Sequence, residues 1–160
     1  MGRGARGAKV GRDKGLCPVG TQAGKEVSRI PVWVKLTPAT ANIVVEAEAC
    51  FRGGADAVCS SNTFPSLPLI DPETLEFEMN VDGLVSSGGL GGPAILPLAL
   101  AKMASLTKAF PDRAFSGIGG VSDFNQPASY FLLGCVTVQV CTAAILEHAG
   151  GPRVIHPLSP

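Results

Sequence analysis

The chain has 160 residues and a formal net charge of zero, with 13 Lys and Arg residues balanced by 13 Asp and Glu residues. This balance gives no overall basic surface, so a nucleic-acid partner is not expected. Apolar residues make up 46% of the chain and charged residues only 16%, which excludes a disordered protein and is typical of one domain with a buried sheet. No apolar run reaches the ~18 residues of a membrane-spanning helix, so a membrane partner is not expected either.

The five cysteines show no CxxC spacing and no cluster with the two histidines, so the sequence predicts no metal site. We expect them to be reduced and mostly in the core, as in a cytosol-like compartment, and therefore predict a cytoplasmic protein. A plastid or mitochondrial location stays open, because the amino terminus is basic and poor in acidic residues. It also has no serine before Ser28, which is unusual for a transit peptide.

The chain divides into three segments by composition. Residues 1–29 are rich in glycine and basic residues and have no hydrophobic periodicity, which predicts a poorly ordered, unassigned segment. Residues 30–149 carry the predicted strands and helices and form the main domain. Residues 150–160 contain three prolines and are predicted to be a frayed tail.

Residues 30–38 (IPVWVKLTP) form a short apolar run bounded by prolines, which is typical of a buried strand in a parallel sheet. Lys35 interrupts the run near its carboxyl end. In parallel α/β folds ligands bind at the carboxyl ends of strands, so Lys35 is a candidate ligand contact. The alternative is a lysine that only extends its ammonium group into solvent.

The next predicted elements alternate between helix and strand. Asn42 is placed to cap a helix that runs to Arg52, and residues 55–63 form a second strand that ends in polar residues. Residues 64–89 are a long connection typical of a functional loop, with room for a hairpin. A glycine-rich turn over residues 86–92 leads into a helix over 93–109. The apolar stripe of this helix is Ile95, Ala99, Met103 and Leu106.

The last third of the chain continues the alternation. Residues 114–121 are predicted to be a strand, residues 123–133 a helix, residues 136–142 a strand and residues 143–149 the start of a helix. The inward face of the helix over 123–133 is predicted to carry Phe124, Ala128, Phe131 and Leu132. Alternating strands and helices favour right-handed βαβ units with a parallel sheet. Four such units are an α/β fold equal to half of a (β/α)8 TIM barrel.

Two successive strand ends are suited to bind phosphate. Glycines follow one strand at Gly119 and Gly120, and Cys141 and Thr142 follow the next. Glycine lets backbone N–H groups approach phosphate oxygens, and the last two strand ends of TIM barrels commonly do this. The alternative is that these glycines only turn the chain. The pattern is not GxGxxG, which disfavours a dinucleotide-binding fold.

Five segments together resemble the carboxyl-terminal half of the FMN-binding barrel of the dihydropyrimidine dehydrogenase family, relatives of the dihydroorotate dehydrogenases. They occur in the family's order: residues 30–38 (IPVWVKLTP), 53–63 (GGADAVCSSNT), 87–100 (SGGLGGPAILPLAL), 116–121 (SGIGGV) and 132–142 (LLGCVTVQVCT). The resemblance implies reduction of uracil and thymine in pyrimidine catabolism, with hydride supplied by reduced FMN.

The resemblance also implies roles for individual residues. Lys35 matches a lysine that contacts the flavin, where a positive charge stabilises the anionic reduced form. Asn62 and Thr63 match a substrate-binding pair, and an amide suits the alternating donors and acceptors of uracil. The remaining matches fall on the flavin and phosphate loops: Ser61, Gly91, Gly92, Gly119, Gly120, Cys141 and Thr142.

The resemblance leaves the first four strands of the barrel unmatched, so we expect a fragment. NAD(P)H and iron–sulfur clusters then belong to the full-length family and not to this chain. Cys17 lies in Cys17-Pro-Val-Gly20, which is similar to the family's Cys-Pro-His-Gly and implies a general-acid cysteine, although valine replaces the histidine. A chance Cys-Pro pair is the alternative.

Three functions remain open at this point. The first is a pyrimidine-reductase fragment that binds FMN and uracil or thymine. The second is a non-catalytic half-barrel that binds a phosphate-bearing ligand or requires a partner, either a second copy or the missing barrel half. The third is a generic phosphate-binding domain, which the motif set disfavours. Whether the chain is itself an enzyme is left open.

Overall fold

The computed structural model describes residues 16–79, 82–85, 87–123 and 125–146. In chain order the elements are α1 (Leu16–Val27), β1 (Trp33–Lys35), α2 (Ile43–Arg52), β2 (Ala57–Ser60), β3 (Phe64–Ser66), β4 (Gly88–Leu90), a 3-10 turn (Pro93–Ile95), α3 (Leu96–Ala109), β5 (Ala114–Ile118), α4 (Asn125–Leu132), β6 (Thr137–Gln139) and α5 (Thr142–Leu146). No helix in these ranges is long and apolar enough to cross a membrane.

Four strands form one parallel sheet in the spatial order β1–β2–β5–β6. A helix lies between each pair of consecutive sheet strands, which confirms the predicted βαβ units. Asn42 caps α2 as predicted, because its side chain accepts a hydrogen bond of 3.1 Å from the Val44 backbone N–H. The parallel arrangement brings the carboxyl ends of all four strands to one edge of the sheet.

The core lies between the helices and one face of the sheet. Val58 and Phe115 project from β2 and β5 into this layer. All four residues of the stripe predicted for the third helix are buried: Ile95, Ala99, Met103 and Leu106. This burial holds α3 against the sheet and fixes the start of the helix near the strand ends.

The inward face predicted for α4 is wrong. Phe131 and Leu132 are 52% and 88% exposed and Ala128 is also exposed, whereas Tyr130 is fully buried. Phe124 lies outside the described residues. Tyr130 takes the inward position because its ring packs where Gly117 has no side chain, and its hydroxyl donates a 2.7 Å hydrogen bond to the Gly119 carbonyl. Apolar periodicity alone cannot anticipate a tyrosine that satisfies its hydroxyl in the core.

The prediction that residues 30–38 form a buried strand is also wrong in part. β1 spans only Trp33–Lys35, and Trp33 is 45% exposed. The reason is its position, because β1 lies at the edge of the sheet and pairs with β2 alone among the described strands. Lys35 is the last residue of β1, as predicted.

Part of the amino-terminal segment predicted to be poorly ordered is the 12-residue helix α1. The prediction fails because the described side chains that α1 buries are small and form no aliphatic stripe. Cys17 and Thr21 are buried, and the Thr21 hydroxyl donates to the Cys17 carbonyl. Cys17 forms a disulfide with Cys50 of α2, which corrects the expectation that all cysteines are reduced. Residues 1–15 and the predicted tail over 150–160 lie outside the described residues.

The long connection between β2 and α3 contains the hairpin for which the sequence left room. β3 and β4 pair antiparallel, and Ile70 and Phe77, in the segment that joins the two strands, form a separate antiparallel bridge. β4 occupies residues within the stretch that was predicted to be only a glycine-rich turn. The connection therefore forms a small lobe beside the carboxyl ends of the sheet strands.

Asp56 ties α1 to the strand layer and makes stability depend on pH. Its carboxylate accepts hydrogen bonds from Lys25 Nζ at 2.7 Å and from the Val32 N–H at 2.6 Å. The Lys25 hydrogen bond, followed by the Val32 hydrogen bond, lowers the pKa of Asp56 below its ordinary 3.8. A lowered folded-state pKa stabilises the fold above pH 3.8, and this contribution is lost as the pH falls through the folded-state pKa.

We therefore expect Asp56→Asn to lower the free energy of unfolding at neutral pH and to change it much less in acid. Urea denaturation of both proteins at pH 7 and at about pH 3 measures the difference. Glu48→Gln, on α2, is the control for loss of one exposed carboxylate. An Asp56→Asn deficit of the same size at both pH values would contradict this assignment.

Candidate functional site

A cavity opens at the sheet edge where the four parallel strands end. Ten of the eleven site residues predicted from the sequence line it: Lys35, Ser61, Asn62, Thr63, Gly91, Gly92, Gly119, Gly120, Cys141 and Thr142. Ile95, Ile118, Val121 and Gln139 complete the lining. Residues separated by more than 100 positions in the sequence are thus brought to one place by the parallel sheet.

Backbone hydrogen bonds hold the residues that follow β2 at the cavity. The Asn62 N–H donates to the Leu36 carbonyl at 3.1 Å, and the Ser61 N–H donates to the Ile118 carbonyl at 3.0 Å. The segment is therefore attached to both neighbouring strands. The Ser60–Ser61 peptide bond in this segment is cis.

Two side chains of this segment have unused hydrogen-bonding capacity. The Ser61 hydroxyl is buried and has no hydrogen-bond partner. The Asn62 carbonyl accepts a 2.9 Å hydrogen bond from the Thr63 N–H, while its amide nitrogen donates none within the described residues. A buried hydroxyl without a partner costs roughly 1–3 kcal/mol, which a ligand bonding to it would recover.

The side of the cavity away from Lys35 in the strand order is formed by the two glycine pairs. Gly91 and Gly92 precede the 3-10 turn that leads into α3, and Gly119 and Gly120 follow β5. Thr142 closes this end, since its hydroxyl lies 3.0 Å from the point where a side chain on Gly91 would begin. Small residues leave the backbone accessible here, as anion-binding loops require.

Among the residues that the structure describes, Lys35 is the only charged one in the cavity lining. Its ammonium group forms no ion pair within the described part of the chain. A single unpaired cation in a cavity otherwise lined by hydroxyl, amide and backbone groups favours an anionic or carbonyl-rich ligand.

Gln139 is a lining residue that the sequence predictions missed. Its amide nitrogen donates to the Ser116 hydroxyl at 2.9 Å and to the Cys59 sulfur at 3.2 Å. Burial raises the pKa of the Cys59 thiol, and this outweighs the opposing effects of Gln139, Lys35 and Ser116. The sequence did carry a signal, because Thr137, Gln139 and Cys141 alternate with valines, which places three side chains with hydrogen-bonding groups on one face of the strand and its extension.

Cys17 does not join the other predicted site residues. It lies in the first turn of α1, and its sulfur is bonded to Cys50 in the helix layer rather than facing the cavity. A disulfide sulfur carries no proton, so Cys17 cannot be the general acid in this structure. The similarity of Cys17-Pro-Val-Gly20 to the family motif therefore does not extend to that function.

The volume of the cavity is about 90 Å³. Sites that enclose a whole small molecule are typically ~300–1,000 Å³, so this cavity suits a phosphate group or one edge of a ring system. No group of three or more His, Cys, Asp or Glu residues that could hold a metal ion occurs in residues 16–79, 82–85, 87–123 and 125–146.

Comparison with known proteins identifies the family. The family model described as dihydroorotate dehydrogenase matches residues 5–158 of the chain. The chain belongs to the dihydroorotate dehydrogenase family. This is a family of FMN-dependent oxidoreductases that includes dihydropyrimidine dehydrogenases.

Two relatives illustrate the range of the family. The chain is 36% identical over 154 residues to the chloroplastic dihydropyrimidine dehydrogenase (NADP⁺) of Arabidopsis thaliana, an alignment that covers 93% of this chain and 36% of that protein. It is 38% identical over 123 residues to the catalytic subunit of dihydroorotate dehydrogenase B (NAD⁺) of Petrotoga mobilis, covering 77% and 39%. The chain thus spans less than half the length of these family members.

A solved family structure supports the fold. The DHODH of Eimeria tenella, crystallised with ferulenol, superposes with a TM-score of 0.59 at 22% identity, over 79% of this chain and 32% of that one. At this identity the likeness shows the fold alone. It confirms that the four parallel strands and their helices are part of a (β/α)8 barrel.

Proposed function

We propose that this chain supplies the FMN and pyrimidine side of an oxidoreductase that reduces uracil and thymine to 5,6-dihydropyrimidines. The observation that carries the proposal is the meeting of the predicted flavin and substrate residues in one cavity, whose only charged group in the described part of the chain is Lys35. NAD(P)H and iron–sulfur clusters are assigned to other parts of such a protein. The segments that bind NAD(P)H and the clusters lie outside the region in which this chain resembles the family.

The residues around the cavity suit two different parts of FMN, but the enclosed volume of about 90 Å³ holds only one of them, so the rest of the cofactor would lie outside it. The glycine pairs and Thr142 would hold the phosphate, because backbone N–H and hydroxyl groups donate to phosphate oxygens. The unpaired Ser61 hydroxyl offers a further buried hydrogen bond. Lys35 would face the pyrimidine edge of the flavin, where its positive charge favours the anionic reduced form. When bound, FMN supplies the redox chemistry, and these residues bind and orient it.

Asn62 and Thr63 are assigned to the pyrimidine substrate. The free amide N–H groups of Asn62 can donate to a ring carbonyl, and its carbonyl retains a second lone pair for a ring N–H. Both residues are exposed at the cavity mouth, next to the β3–β4 lobe. A small planar ring with alternating donors and acceptors is therefore the substrate class that suits this pair.

A binding-only function is the second candidate, and the exposure of β1 favours it. Trp33, on the edge strand, is 45% exposed, and the edge of β1 opposite β2 has no partner among the described strands. Such an edge can pair with another chain. In this alternative the half-barrel binds a phosphate-bearing ligand and requires a second copy or a partner chain for any catalysis.

An anaerobic half-reaction separates these functions. The chain is loaded with FMN, the flavin is photoreduced with EDTA as the electron donor, and uracil, thymine or orotate is added while flavin absorbance is followed. Reoxidation by uracil and thymine but not by orotate is the expected result, with gel filtration giving the oligomeric state of the active species. Retained flavin that none of the three pyrimidines reoxidises would favour the binding-only function.

The alkylation rate of Cys141 shows directly whether a ligand occupies the cavity. Cys141 is the exposed free cysteine in the cavity lining, whereas Cys59 and Cys135 are buried and Cys17 and Cys50 are joined. We expect FMN at about ten times its Kd to slow alkylation of Cys141 by iodoacetamide about tenfold, because only the free protein reacts. Mass spectrometry of the labelled peptide measures the rate. Riboflavin, which lacks the phosphate, is the control and should protect less. An alkylation rate unchanged by saturating FMN would argue against a flavin phosphate beside Cys141.

A further inference from the structure

A row of polar side chains crosses the inner face of the sheet below the cavity, and neither the flavin nor the pyrimidine assignment uses it. Cys59 on β2, Ser116 on β5 and Thr137 on β6 are register partners across three neighbouring strands. Cys59 is also the register partner of Lys35 on β1. Gln139 lies two residues beyond Thr137 and is the one member of the row that also lines the cavity.

The Gln139 amide is oriented with its nitrogen toward the row. Its nitrogen donates to both Ser116 Oγ, at 2.9 Å, and Cys59 Sγ, at 3.2 Å. Thr137 donates to the same Ser116 oxygen at 2.8 Å and so holds the acceptor in place. Ser116 is completely buried and Cys59 is 4% exposed, so water does not compete for these hydrogen bonds.

This arrangement leaves the Gln139 carbonyl oxygen as the unused end of the amide. No hydrogen bond reaches it from any residue that the structure describes. The side chain is half-buried against the cavity, so the oxygen is an acceptor without a protein donor. A ligand group that donates a hydrogen bond is the complement of such an oxygen, whereas a phosphate or a ring carbonyl is not.

The position of Gln139 narrows the choice of donor. On the strand it pairs with Ile118, directly before the glycines of the phosphate end. Its amide reaches back to Cys59, the partner of Lys35 at the ring end. The Gln139 amide therefore lies over the middle strands β2 and β5, between Lys35 on β1 and Thr142 after β6, where the hydroxylated chain of a flavin nucleotide would join its ring to its phosphate.

We propose that Gln139 binds the flavin nucleotide by accepting a hydrogen bond from one hydroxyl of this chain, and that Ser116 and Cys59 are positioning residues for it. The inference rests on the proposed binding of FMN. It adds to the cavity a subsite that recognises a hydroxyl group by accepting its hydrogen bond. It also explains why this row is polar, since the interiors of such barrels usually carry apolar side chains.

Flavin-fluorescence titrations of the whole chain test the proposal. The probes are FMN, three FMN analogues that each lack one chain hydroxyl, and FMN methylated on the ring imide nitrogen. We expect Gln139→Met to weaken FMN binding about five- to tenfold, the size of one partly buried hydrogen bond. The unaltered chain should bind one deoxy analogue more weakly than FMN by the same factor. Gln139→Met should bind that analogue and FMN with equal affinity. Gln22→Met, at an exposed glutamine on α1, is the matched control and should bind FMN normally.

Ser116→Ala tests the positioning. It removes the acceptor that orients the amide, so we expect the discrimination between FMN and the sensitive deoxy analogue to fall to about twofold or less. Ser105→Ala, on the exposed face of α3, is its control and should keep the discrimination. Thermal unfolding of each variant separates loss of discrimination from loss of fold.

The outcomes are distinct. FMN bound equally by the unaltered chain and Gln139→Met, or all deoxy analogues bound as well as FMN, would overturn the Gln139 proposal alone. If the imide-methylated flavin is the only analogue that binds more weakly than FMN, Gln139 contacts a ring N–H and the proposal is overturned. If no flavin binds to the unaltered chain, the FMN assignment itself fails and this proposal fails with it.

Discussion

Replacing Gly120 by alanine is expected to destabilise the chain by about 3 kcal/mol, a large part of the 5–15 kcal/mol that typically holds a domain together. Gly120 has φ +78°, and a Cβ there would lie 2.6 Å from Leu96 Cα and 2.8 Å from its backbone N. The obstacle is backbone at the start of α3, which cannot rotate away as a side chain could. The same substitution would push the glycine loop away from α3 and deform the phosphate end of the cavity.

Urea denaturation measures this effect, and Gly20→Ala is the matched control. Gly20 lies within α1, and a Cβ there meets nothing within 4 Å. Alanine at this position should stabilise the chain by about 0.5–1 kcal/mol, because helical glycine costs that much in conformational entropy. The two Gly→Ala changes should thus have opposite signs. A Gly120→Ala protein as stable as the unaltered chain would show that the contact between this loop and α3 is misplaced.

The substitution Lys35→Gln is expected to weaken FMN binding about 10- to 100-fold, which corresponds to loss of one charge-assisted contact. Lys35 is exposed at the end of the edge strand β1, so the loss of its charge should leave the free energy of unfolding nearly unchanged. Fluorescence titration with FMN gives the binding constant, and urea denaturation checks the fold.

Two control variants accompany Lys35→Gln. Lys35→Arg keeps a positive charge at the same place and should retain most of the affinity, although guanidinium geometry differs. Lys108→Gln removes an exposed charge from the far end of α3 and should have no effect. Equal FMN affinity for Lys35→Gln and Lys108→Gln would remove Lys35 from the flavin site.

The repeating part of the fold could be predicted from the sequence because its signals are local. Asn42 caps α2 through its own side chain, and the stripe from Ile95 to Leu106 follows the helical period. Four apolar runs separated by helices then allow little besides a parallel sheet. The length of the connection after β2 left room for a hairpin, and the connection contains one.

Features that depend on position in the sheet could not be predicted. The run around Trp33 is as apolar as a central strand, yet it lies at the edge and is exposed. Tyr130 rather than Phe131 faces inward because of the space over Gly117, a contact between elements. Among the described side chains of α1 only Cys17 and Thr21 are buried, and neither is a large apolar residue that marks a helix in the sequence.

The cavity residues also divide into those that the sequence predicts and those that depend on contacts between elements. Its glycines and Lys35 follow strand ends, and the parallel topology alone brings strand ends together. The importance of Gln139 depends on Cys59 and Ser116, which are 80 and 23 residues away in the sequence. Such cross-strand contacts have no local sequence signal beyond the alternation of polar residues along β6.

A crystal structure of the chain grown with FMN is the most direct test of the cavity as the flavin site. The expected result is a phosphate against Gly91, Gly92, Gly119, Gly120 and Thr142, with Lys35 Nζ at the pyrimidine edge of the ring. FMN bound elsewhere on the chain, or its phosphate placed beside Lys35 with the glycines empty, would contradict the assignment.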